Sequence, residues 1–188
     1  VIIGNGVTSI GDNAFYHCYG LASVTMPNSL TNIGSEAFES CHSLTNIDIP
    51  DSVTSIGERA FLGCVSFTNI VIPDSIKEIK DETFRACYEL ISITIPDGVT
   101  TIGNKAFYQC SKLPSITIPD SVTSIGDEAF SYCRKLKSIT IPGSITGIRD
   151  KMFYECSDLK SVTISDGVTS IGDSAFAFCN SLTSVTIP

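Results

Sequence analysis

Residues 119–141 read PDSVTSIGDEAFSYCRKLKSITI, and this stretch decides the fold. Its apolar positions are Val122, Ile125, Ala129, Phe130, Cys133, Leu136, Ile139 and Ile141. Ile139-Thr140-Ile141 alternates as a strand does and stops at Pro142, which cannot extend a ladder. Pro-Asp-Ser is turn chemistry. The step from Val122 to Ile125 reads as a short extended segment. Ala129, Phe130 and Cys133 lie three to four apart, which predicts one face of a helical turn. Asp127 sits where its oxygen would cap that turn's first amides, as do Asp12 and Asp173 in their own copies.

The stretch is one copy of eight. Phe recurs at positions 15, 38, 61, 84, 107, 130, 153 and 176, always 23 apart, and Cys keeps the same step from Cys18 to Cys179. Pro27, Pro50, Pro73, Pro96, Pro119, Pro142 and Pro188 follow the same ruler, with Ser165 in one slot. Independent columns without a slip mark a solenoid whose units touch only their neighbours. The expectation for residues 1–188 is a single solenoid of eight 23-residue repeats, belonging to a longer array. Its class is an α/β repeat solenoid, with a stacked parallel sheet on one face and short helical turns on the other. Strands at about 4.8 Å per step make it a rod or arc about 40 Å long.

The pattern C-x-x-L-x-x-I-x-I-P-x-x-V-x-x-I-x-x-x-A-F-x-x-C, matched from Cys110 through Leu113, Ile116, Ile118, Pro119, Val122, Ile125, Ala129 and Phe130 to Cys133, resembles the BspA-like leucine-rich repeats. The match runs the length of the chain. Lys80/Thr83 and Arg149/Met152 replace Gly and Ala in two copies, and Phe67 replaces Leu. These changes should alter packing without breaking the coil. The resemblance implies a cell-surface or extracellular module that contacts other proteins through its sheet face, by adhesion to host or neighbouring cells.

Composition narrows the chemistry. A net charge of −8 with pI near 4.6 lacks the basic stripe of a general nucleic-acid binder, and no apolar run reaches a membrane span. Eight Cys without any Cys-x-x-Cys, each beside the same Phe, read as a column of buried thiols rather than a disulfide framework or zinc site. His17 and His42 are out of register by two and read as solvated, with no third metal ligand fixed by spacing. Asp51, Asp74, Asp97, Asp120 and Asp166 would stack in a column; turn preference accounts for them more simply than bridging calcium. No nucleophile elbow, phosphate loop or dinucleotide fingerprint is present, so neither an enzyme nor a cofactor is expected.

Outward positions on the strand are a Ser-x-Thr ladder, from Ser23/Thr25 to Ser184/Thr186. The coil does not dictate Asp48, Val71, Ile91, Lys137 and Lys160, which makes them the candidate binding surface. Charge is uneven along the axis. Residues 1–58 carry six acids and no base, whereas residues 134–160 carry six bases and three acids. The expected partner is a protein ligand, such as an extracellular-matrix or cell-surface component. End-to-end self-association through uncapped strands is a further option. The competing functions are a structural spacer or filament element, and ice or crystal binding by the ladder, which Asp48, Val71 and the charged flanks make irregular.

Overall fold

In a computed structural model describing residues 1–186, the chain winds into stacked coils around one apolar core. Ile187 and Pro188, the end of the last expected strand, lie outside the described residues. Two sets of short parallel strands recur along the stack, one in every coil and the other in five of the coils among the described residues. The first is the Thr-Ser-Ile segment after the Pro-Asp-Ser turn, as in Ser124–Ile125; the second is the Ser-x-Thr strand. The turn closes between Pro119 O and Val122 N at 3.0 Å, and the matching bond recurs at Pro50, Pro73 and Pro96.

The core is built from columns. Phe38, Phe61, Phe84, Phe107, Phe130 and Phe153 are fully buried and stack on one another, with ring centroids 5.5–5.7 Å apart and planes within 9°. Phe67, in a Leu slot, also packs on Phe61 at 5.5 Å. The Cys column is buried from Cys41 to Cys179, and only Cys18 is exposed. Each buried thiol donates to the carbonyl of the preceding coil's Phe, as Cys133 does to Phe107 O at 3.2 Å. That oxygen already accepts the amide of its own coil's Cys, so the thiol takes its second lone pair.

The expected helical turns are absent: among the described residues there is no helix, and the molecule is a parallel β-solenoid rather than an α/β one. Tandem β-turns replace them. Glu128 and Tyr132 have φ of 55° and 61°, and every coil repeats left-handed backbone at these two slots. A left-handed residue every fourth position ends any right-handed helical run. Alternate amides close the turns, as Cys133 N does on Phe130 O at 3.2 Å. The amides between them leave the coil altogether. Glu128, Phe130 and Tyr132 donate to Asp150, Met152 and Tyr154 of the next coil at 3.0, 3.0 and 2.7 Å. The three-to-four spacing was therefore a true sign of which residues point inward and a false sign of helix.

Capping is also corrected. Asp12 Oδ1 accepts from Ser35 N, one coil further on, at 2.7 Å rather than from its own turn. Asp150 does the same for Asp173 N at 2.8 Å, whereas Asp127 faces the Arg149 guanidinium at 3.3 Å.

Candidate functional site

Turn-arc bonds run unbroken along the stack, but both sheets are segmented, and the interruptions shape the surface. In the Thr-Ser-Ile sheet, strands pair within Ser9–Ile10, Asn32–Ile33 and Ser55–Ile56; within Glu78–Ile79, Thr101–Ile102 and Ser124–Ile125; and within Gly147–Ile148 and Ser170–Ile171. The breaks fall where a long side chain replaces Gly. A Cβ on Gly57, Gly103 or Gly126 would meet the preceding coil's backbone at 2.3–2.6 Å, so these coils approach in a way only Gly permits. Lys80 and Arg149 occupy that slot at the two breaks, and their amides make no bond to the coil before. The substitutions thus split a ladder without breaking the coil.

On the other face, Asn69–Val71 pairs with Ser92–Thr94, and Ser138–Ile141, Ser161–Ile164 and Ser184–Thr186 form a three-stranded sheet. The Ser115–Ile118 segment pairs with neither group. Pro114, which has no N–H, stands where the next coils' Lys137 and Lys160 donate to Pro114 O and Lys137 O at 3.1 and 2.8 Å. Asn46–Ile49 is unpaired as well, and nothing in its slot explains it.

All five candidate surface residues are exposed, Val71 at 69% and Ile91 at 50%. They do not form one cluster. Asp48 and Val71 line a shallow groove of about 220 Å³ with Asn46 and Asn69. Ile91, Lys137 and Lys160 lie in one slot on coils four, six and seven, with the half-buried Pro114 between.

Sequence reasoning missed two features. One is a concavity of about 400 Å³ on the Thr-Ser-Ile sheet, lined by Glu78, Asp81, Asn104, Thr123 and Arg149 among others. Arg149, an exception in the Gly slot, was the sequence signal that falls in its lining. The second is an outer aromatic row. Arg85 lies 5.3 Å from the Tyr108 ring, and Tyr108, Tyr132, Tyr154 and Phe178 follow at 5.2–5.5 Å. No local spacing marks it, because successive members alternate between two slots.

Among the described residues no three His, Cys, Asp or Glu side chains are placed to hold a metal ion. His17 stacks on Tyr16 at 3.9 Å, and His42 tilts over Tyr19 at 4.8 Å, both at the surface. Burial pushes the thiols up, Cys41 and Cys179 to about 11 and Cys133 to about 12, so they resist becoming thiolates. No helix of the described residues is long and apolar enough to cross a membrane.

The model of the family described as "BspA type Leucine rich repeat region (6 copies)" matches residues 1–113 and 77–188. Among solved structures, the chain is similar to a leucine-rich repeat protein of T. pallidum, with 28% identity over 97% of this chain and 77% of that one and a TM-score of 0.75. A leucine-rich repeat protein of Eubacterium ventriosum shares the fold at 24% identity, covering 100% of this chain and 72% of that one, with a TM-score of 0.63. No curated protein matches the chain.

Proposed function

The chain belongs to the BspA-type leucine-rich repeat family, and from that premise we propose that it is a non-enzymatic protein-interaction module, working in adhesion at a cell surface through its Ser-x-Thr strand face. One observation carries the reading. A face made almost wholly of Ser, Thr and Asn holds large apolar side chains in water at Val71 and Ile91, where the core gains nothing from them. Asp48, Lys137 and Lys160 add charge at the same outward positions, and neither coil geometry nor turn chemistry requires it. The candidate surface is therefore Asp48, Val71, Ile91, Lys137 and Lys160. The extracellular placement rests on the family resemblance.

The test is selection from a displayed random peptide library against the immobilised chain, followed by displacement. Thr117→Trp and Thr140→Trp, which block the strand face, should abolish capture of the selected peptides. Lys105→Ala, on the turn arc, should leave it intact. Peptides that bind equally to the blocked variants refute the reading. A spacer without a ligand is the second reading, favoured by the uniform Phe stack; it requires that no face-dependent binder be recovered.

A further inference from the structure

Seven of the twelve cations are engaged in ion pairs, among them Lys112 with Glu89 at 2.6 Å, Arg134 with Glu155 at 3.1 Å and Lys135 with Asp158 at 3.0 Å. Two of the three acids in the basic stretch, Glu155 and Asp158, are taken up by Arg134 and Lys135, and the third, Asp150, accepts from Asp173 N. Lys137 and Lys160 have no such partner among the described residues, and both are exposed. They also stand side by side. Ser138 is in register with Ser161, and Lys160 N donates to Lys137 O at 2.8 Å. Like charges directly across adjacent strands repel, so the fold carries an electrostatic penalty here that a bridging anion relieves.

The same slot turns apolar two coils earlier. Ile91 is half exposed and Pro114 half buried, so one line over four coils reads Ile91, Pro114, Lys137, Lys160. Three strand steps of about 4.8 Å make this line roughly 14 Å long, the reach of four or five extended residues. Beside it, where Ser115–Ile118 stands unpaired, a groove of about 340 Å³ opens between that segment and Ser138–Thr140. A purely anionic surface or glycan has no use for the apolar half of the line; a peptide carries both chemistries.

We propose that the line from Ile91 to Lys160 docks an acidic segment of a protein partner, with an apolar side chain on Ile91 and Pro114 and two carboxylates against Lys137 and Lys160. This rests on the interaction reading above and names the partner's chemistry. The experiment extends the same peptide selection. Face-dependent peptides should be enriched in Asp and Glu next to an apolar residue, and should weaken with added salt. The double variant Lys137→Gln/Lys160→Gln should lower their affinity about tenfold, whereas Lys112→Gln leaves it unchanged. Because the exchanged side chains are exposed, the variant keeps its fold. Face-dependent peptides that lack acids, or that ignore the double variant, overturn this proposal while the interaction reading stands. If no face-dependent peptide is recovered, both fall. Lysine-dependent binding of heparin or of phosphatidylserine vesicles, without acidic peptides, overturns it in favour of a glycan or a membrane.

Discussion

Gly126→Ala tests the mechanism by which neighbouring coils pair. A Cβ at this position would lie 2.5 Å from Asn104 N, 2.6 Å from Asn104 Oδ1 and 2.7 Å from Gly103 C, all closer than real Cβ atoms approach. The coils must separate, and two bonds sit at the contact: Gly126 N to Ile102 O at 2.8 Å and Asp127 N to Asn104 Oδ1 at 2.9 Å. Losing both costs about 2 kcal/mol at about 1 kcal/mol each. The displaced packing adds about 1 kcal/mol, and the stiffer unfolded chain returns about 0.5–1 kcal/mol. The expected net loss is about 2 kcal/mol. Gly11 is the control. It occupies the same slot on the first coil and meets nothing within 4 Å, so Gly11→Ala should be neutral or stabilise by about 0.5 kcal/mol. Urea melts of both variants measure the difference, and amide exchange at residues 126 and 127 should rise in Gly126→Ala alone. Equal midpoints for the two variants refute the argument that close approach selects Gly. Lys80 and Arg149 would then need another explanation for the ladder breaks.

Three further outcomes are expected. Phe107→Ala should lose about 3–5 kcal/mol in urea melts, because Phe107 is fully buried between Phe84 at 5.7 Å and Phe130 at 5.5 Å. Phe15→Ala should lose clearly less, since Phe15 is half buried and stacks on Phe38 alone. Ala86→Gly should stabilise by about 0.5 kcal/mol: it relieves about 1–2 kcal/mol of left-handed strain at φ 59° and gives back about 0.4–1 kcal/mol in the unfolded chain. The same slot already holds Gly63 in the preceding coil, and a lower melting midpoint for Ala86→Gly contradicts the turn geometry. The third outcome concerns the thiols. In the folded chain, burial raises Cys133 from 9.0 to about 12 and Cys41 and Cys179 to about 11. Above pH 9 the unfolded state therefore sheds thiol protons that the folded state keeps. Stability is fully present below pH 9 and falls as pH rises through about 11 to 12. Urea midpoints at pH 8, 9.5 and 10.5 should decline in that order, and the same series after replacing Cys133 with Ala should decline less.

Much of the core was legible in one line of sequence. The Phe column from Phe38 to Phe153, the Cys column from Cys41 to Cys179, the alternate residues Ile139 and Ile141 and the inward set Ala129, Phe130 and Cys133 all proved to be interior, whereas Phe15, Cys18 and Phe176 at the ends are not fully covered. The helix assignment failed for a specific reason. Residues three to four apart face the same way in a helix and also in tandem β-turns, and periodicity cannot separate the two when left-handed slots are filled by Glu128 and Tyr132 rather than Gly. The five surface candidates were found as departures from a pattern. Whether they lie together could not be read that way: Asp48 and Val71 border one groove, and Ile91, Lys137 and Lys160 share a different line.

By itself the sequence determined the coil, because each 23-residue unit states its own apolar positions, turn residues and strand end. It also determined the stacking, because identical slots at a constant period can bury their Phe and Cys only against copies of themselves. The tertiary structure alone decided what passes between coils. An amide at Phe130 bonds 22 residues ahead to Met152, a carboxylate at Asp12 caps Ser35, and Lys80 or Arg149 holds two strands apart. Those contacts depend on ångström-scale approach between residues a full turn of the solenoid apart, a distance that no local spacing encodes. For the same reason, the isolation of Lys137 and Lys160 emerges only once the ion pairs of neighbouring coils are in place.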